Sequence, residues 1–109
     1  MAKFMIVYRS EIDAEGKMAQ STPEEMQASM QEWMVWKEEA DKVMNFDWGS
    51  PIQARHHFGA AVSAIDVTGY SLFESEDKEA CHALLEKHPH LKQDGNSIDI
   101  LEYLPMPGM

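Results

Sequence analysis

The stretch TGYSLFESEDKEACHALLEKHPHL, from Thr68 to Leu91, reads as one strand, one capped helix and a histidine-bearing exit. Thr68 to Glu74 places Tyr70, Leu72 and Phe73 in a short β-prone run. Ser75 or Asp77 can then cap a helix whose first turn carries Glu76, Asp77 and Glu79, acids suited to the positive end of a helix dipole. Ala80, Cys81, Leu84 and Leu85 recur at helical spacing, so the helix has one apolar stripe and must bury it against a sheet or another helix. Pro89 ends it. Around that end stand Lys87, His88, His90 and Lys92, a local excess of cationic groups in an acidic chain.

Upstream, Lys3 to Tyr8 is apolar on both sides of a pleat, with Phe4, Ile6 and Tyr8 on one face and Met5 and Val7 on the other; such a strand is expected to be covered twice. Ser10 to Ser21 shows no period and reads as a loop. Thr22, Pro23 and Glu25 form a capping box with proline at the first helical position, which predicts a long helix to about Met44. On it Met26, Met30, Trp33, Lys37, Ala40 and Met44 share one face, Trp36 and Val43 widen that face, and the methionines in or beside this helix, Met18, Met26, Met30, Met34 and Met44, are read as core. Asn45 to Pro51 reads as a turn carrying Phe46 and Trp48, Ile52 to Phe58 as an edge strand, and Gly59 to Val67 as a soft connection that pairs in part. A Gly95-Asn96 turn leads into a last strand, Ser97 to Leu104.

The 109 residues are expected to form one domain, 1–109, large enough for a core without staples. The single cysteine, Cys81, falls on an apolar stripe and is expected as a buried, reduced thiol, which points to the cytoplasm. No apolar run reaches membrane-spanning length, and Met1 to Ser10 lacks a signal-peptide cleavage site. Nineteen acidic against nine basic residues give a formal charge of -10, which repels nucleic acids and anionic membranes, so neither is an expected partner.

Strand, long helix, strand, strand, helix, strand is the order of the split βαβ arrangement, an α+β, ferredoxin-like βαββαβ domain with an antiparallel sheet and both helices on one face. The other face then needs cover, and a second copy, sheet against sheet, supplies it most economically. On Lys3 to Tyr8, the Thr22-Pro23-Glu24-Glu25 helix start with Trp33 and Trp36, Gly49-Ser50-Pro51, Thr68-Gly69-Tyr70, Pro89-His90-Leu91 and Pro105-Met106-Pro107, the chain resembles the YCII-related (DGPF-type) family of small bacterial proteins. The resemblance implies a dimeric α/β barrel. The family's suggested active pair is a histidine on the first helix and an aspartate before the proline ending the second; here the first helix has no histidine and His88 stands before Pro89.

Four of the five histidines lie in two clusters, Arg55-His56-His57 and Lys87-His88-Pro89-His90. In the expected topology the end of the first strand, the hairpin after the second and the loop before the last open at one sheet edge. Tyr8, Arg9, His57, His88 and His90 are therefore candidates to line a site for a small anionic or polar ligand, with His88 as its acid-base group, and Trp36, on the apolar face of the long helix, is a candidate to floor it. Three functions fit: such a small-molecule site, a non-catalytic structural or accessory dimer, or cofactor-free oxygenase-like chemistry by analogy with other dimeric barrels. Cofactors and metals are not expected: no phosphate loop or nucleophile elbow is present, and the histidines lack a third ligand at metal-binding spacing.

Overall fold

The computed structural model describes residues 2–60 and 64–107, and the architecture is α+β. Strands β1 (Ala2–Arg9), β2 (Asn45–Pro51), β3 (Val67–Ser75) and β4 (Ser97–Glu102) form one antiparallel sheet in the order β2-β3-β1-β4. Helices α1 (Ala14–Gln20), α2 (Pro23–Ala40) and α3 (Lys78–Leu85) connect them, with a 3₁₀ turn at Pro89–Lys92.

Register sets the two sheet faces. Phe4 pairs with Phe73, Ile6 with Ser71 and Ile100, and Tyr8 with Gly69 and Ile98, so these share a face with Phe46. That face packs against Trp36 and Ala40 of α2 and Cys81 and Leu85 of α3, with Met44 beyond α2. Phe4 and Phe73 stack at 4.8 Å, a pair worth about 1 kcal/mol beyond its burial. The opposite face carries Met5, Val7, Tyr70, Leu72 and Leu101, and Leu101 is 50% exposed. With principal extents of 45 × 39 × 20 Å the chain is one sheet and one helical layer thick, and its radius of gyration is 15.1 Å. A compact domain of this length has about 13 Å.

The caps are those expected. Thr22 and Glu25 exchange both bonds of the capping box, and Asp77 caps α3 by accepting from the Ala80 N–H. Cys81 is buried and unbonded to another cysteine.

Five expectations are corrected. Asn45 to Pro51 is a strand, not a turn: Gly49, at φ 68°, forms a bulge at which the register against β3 shifts between Asp47 and Ser50. Ile52 to Phe58 is not a strand, because β2 has already taken the β3 edge and pairing stops at the Ile52 N–H to Thr68 carbonyl bond. Ser10 to Ser21 contains α1, started by Asp13 accepting from the Gly16 N–H. Helix α2 stops at Ala40, and a turn carries the chain to Met44. Of the methionines read as core, Met44 is buried, whereas Met18 on α1 and Met26, Met30 and Met34 on α2 are exposed, and every residue of α2 from Pro23 to Glu32 is exposed with them. The pairing expected within Gly59 to Val67 falls partly on residues 61–63, outside the described residues.

Candidate functional site

One end of the sheet gathers the C-terminus of β1, the end of β2 and the starts of β3 and β4: Arg9 sits opposite Val67 and Ser97, and Pro51 opposite Gly69. The turn after α3 meets this end. Pro89 forces the residue before it into extended backbone, and His88 accordingly has φ -60° and ψ 135°. Proline has no N–H to cap, so the first free donor of the 3₁₀ turn is the His90 N–H, and it donates to His88 Nδ1 at 3.0 Å.

This bond fixes the imidazole. With Nδ1 accepting, the neutral ring carries its hydrogen on Nε2, which faces the Tyr8 hydroxyl at 3.3 Å. The other end of the network is fixed independently, because a carbonyl only accepts: the Ser71 hydroxyl donates to the Trp48 carbonyl at 2.6 Å. Ser71 Oγ must then accept from the Tyr8 hydroxyl, at 2.8 Å. The result is a one-way chain from His90 N–H through His88, Tyr8 and Ser71 to the Trp48 carbonyl, with every member satisfied.

The surroundings are aromatic and dry. His88 is 1% exposed. Trp33 meets its ring edge-on at 4.4 Å and Trp36 lies at the same distance, while Tyr8 is 5.1 Å away. Trp36 also donates its indole N–H to the Leu84 carbonyl at 2.7 Å, tying α2 to the last turn of α3. Burial, helped by His90 nearby, pushes His88 from 6.5 down to about 3. Burial likewise raises Tyr8 to about 12, against a smaller opposing effect of the Ser71 hydrogen bond. Both groups are neutral across the physiological range.

His90 is buried too, with its ring 5.1 Å from that of Tyr8. Its Nε2–H donates to the Arg9 carbonyl at 2.9 Å, and the Asn96 side chain donates to the His90 carbonyl at 3.0 Å. Burial lowers its pKa, and the bond to Arg9 only partly opposes that. The Arg9 side chain turns away from the cluster and bridges Asp99 and Asp66, each at 2.7 Å, joining β4 to the connection before β3. Lys92 pairs with Glu32, and Lys17 donates to Gln93. His88 and His90, expected to line an open ligand site, are buried and neutral, and the arginine beside them is matched by two carboxylates.

The structure thus brings Tyr8, His88, His90 and Trp36 together and sets the Arg9 backbone, not its guanidinium, against them. His57 is exposed in the connection between β2 and β3, where His56 stacks on Phe58 and Arg55 pairs with Glu15. It makes no hydrogen bond or ring contact with the cluster among the described residues. Two hollows lie elsewhere. One of about 240 Å³, at the far end of the sheet, is lined by Lys3, Asp47, Leu72, Glu74 and Tyr103; the other, about 190 Å³, lies between α3, the 3₁₀ turn and β4. Among the described residues no group of three His, Cys, Asp or Glu side chains is placed to hold a metal ion.

Sequence reasoning missed Ser71 and Trp48. Ser71 carried a signal: in the alternation Gly69, Ser71, Phe73 it stands on the core-facing side, where a hydroxyl requires a partner. Trp48 takes part through its carbonyl, to which its side chain gives no clue.

Comparison with protein-family models, with curated proteins and with solved structures gave no match.

Proposed function

We propose that this chain is a YCII-related domain of ferredoxin-like topology that works as a non-catalytic homodimer module, joined through its open sheet face, with the histidine-centred cluster as framework and not as a reactive centre. The observation that carries the reading is the closed polarity of the His90-His88-Tyr8-Ser71-Trp48 chain. A general base needs a free lone pair near its target. In His88 the Nδ1 pair is taken by the His90 N–H, and Nε2 holds a hydrogen directed at Tyr8.

The strand order β2-β3-β1-β4, with α2 and α3 over one face, is the order a ferredoxin-like topology requires. The dimer reading draws on the other face, where Met5, Tyr70, Leu72 and Leu101 are exposed in part or by half, and on a thickness of one sheet and one helical layer.

Light scattering at micromolar concentration tests the assembly: the expected mass is twice that of the chain, and Leu72→Lys should return it to one. A monomeric wild type overturns the dimer. Substituting His88 by Gln tests the framework role. The expected result is a lower melting temperature, with any ligand found in a metabolite screen still bound; lost ligand binding at an unchanged melting temperature would make His88 a site residue instead.

A further inference from the structure

The two edges of the sheet are built differently. On β2 the edge is interrupted: Gly49 bulges, the register shifts, and Pro51 closes the strand. Bulges and prolines are the usual means of stopping a sheet edge from pairing with another chain. On β4 neither device is present within Ser97–Glu102.

The direction of the free hydrogen-bonding groups on β4 follows from one bond. The Tyr103 N–H donates to the Lys3 carbonyl at 2.9 Å, so odd-numbered residues face β1. The N–H groups of Ile98, Ile100 and Glu102 then face outward, and the same alternation continued past β4 turns those of Leu104 and Met106 outward as well. Pro105 and Pro107 fall on inward positions, where the missing N–H interrupts nothing. Each proline also holds the residue before it extended, and those residues are Leu104 and Met106. Both are uncovered, at 78% and 65% exposure. Beside the same edge runs the hollow of about 190 Å³, whose apolar wall is Leu85, Leu91, Ile98 and Ile100 and whose rim carries His82 and Glu86.

We infer that β4 and the segment after it, 97–106, form a second self-association surface, on which a second copy pairs antiparallel, edge to edge, into one continuous sheet. A two-fold axis perpendicular to the sheet keeps the faces matched only if it passes through a residue position. Centred on Glu102 it would oppose like charges. Centred on Leu101 it sets Leu101 against its own copy, Asp99 beside Tyr103, Glu102 beside Ile100, and Leu104 beside Ile98 at the apolar wall of the hollow. The bonds of this surface run along the outer edge of β4 whereas the open face lies across the sheet, with Leu101 at the corner of both.

Amide hydrogen exchange on the full chain, at micromolar and at millimolar concentration, tests it. The amides of Ile98, Ile100, Glu102 and Leu104 should exchange roughly tenfold more slowly at the higher concentration. Leu104→Pro should remove that protection at the other three while leaving the monomer folded, since its side chain is exposed; Pro105→Ala should preserve it. Leu72→Lys, which breaks the open-face dimer, should preserve it too. Exchange independent of concentration overturns the inference, as does protection that survives Leu104→Pro. Loss of protection in Leu72→Lys would equally overturn the edge as a surface of its own.

Discussion

The His90 backbone N–H donates to Nδ1 of His88 across 3.0 Å, and that bond decides what the His88 ring can do. It commits the ring to the Nε2–H tautomer, places it as the cap of the 3₁₀ turn and leaves no lone pair for a substrate. Nitrogen-15 NMR of the imidazoles should show His88 as a neutral Nε2–H ring at pH 7 that stays neutral to below pH 5. A His88 titration near 6.5 would contradict both the burial and the bond.

Stability should fall in acid ahead of ordinary carboxylate titration. The folded chain holds His88 at about 3 against 6.5 when unfolded, and burial lowers His90 as well. Between those values the unfolded state binds the extra proton, so stability rises with pH through this window and is lost as pH drops below about 6.5. Each tenfold loss of proton affinity corresponds to ~1.4 kcal/mol, which sets the ceiling for His88 at about 5 kcal/mol. Tyr8 acts at the other extreme: its pKa is raised from 10.0 to about 12, so stability should fall as pH climbs above 10. Urea titrations at pH 7, 5 and 4 check the acid limb, and His88→Gln should flatten it.

The Tyr8–Ser71 bond, 2.8 Å long and buried, should show strong coupling. Ser71→Ala leaves the Tyr8 hydroxyl accepting from His88 but strands its O–H hydrogen and removes a donor from the Trp48 carbonyl, a cost of about 1–3 kcal/mol. Tyr8→Phe leaves Ser71 still bonded to Trp48 and strands His88 Nε2–H, with a cost in the same range. In the double variant the shared bond is already gone, so the two losses should add to less than their sum by roughly 1 kcal/mol. Denaturation of the four proteins gives the cycle, and strict additivity would show that the relay is not a unit.

What the sequence revealed and what it hid follow from one difference. Features with a local cause were legible: the Thr22 box, the cap at Asp77, the alternation of Phe4, Ile6 and Tyr8 and the stripe through Cys81 need only neighbouring residues. The meeting of Tyr8 with His88 and His90 was legible from the order of the elements, whereas His57 and the Arg9 side chain, expected with them, lie apart. The chemistry of the cluster was not legible, because whether an imidazole is solvated or caged depends on Trp33 and Trp36, which lie more than fifty residues away in sequence. Helix α2 misled in the opposite sense. Met26 and Met30 keep helical period with Trp33, but period says only which side they share, not whether an element lies against that side.

Asn45 to Pro51 shows the same limit at a single position, and it supports the last prediction. Asn, Asp, Gly, Ser and Pro are turn formers, yet here they make a bulged strand, because Phe46 and Trp48 are held by the aromatic core and Gly49 absorbs the extra residue. A Cβ added at Gly49 would stand 2.0 Å from the Tyr70 carbonyl oxygen, a rigid backbone atom, on a residue at φ 68°. Gly49→Ala therefore meets a steric clash as well as left-handed strain, and should cost well over the ~1 kcal/mol that strain alone imposes. Gly59 is the internal control: at φ 88° it is strained in the same sense, but no atom of the described residues lies within 4 Å of its Cβ, so Gly59→Ala should cost about 1 kcal/mol or less. Thermal melts of the two variants, followed by tryptophan fluorescence to report Trp48, should place Gly49→Ala many degrees below Gly59→Ala. Equal melting temperatures would mean that the close approach of β2 to Tyr70 does not hold the sheet edge.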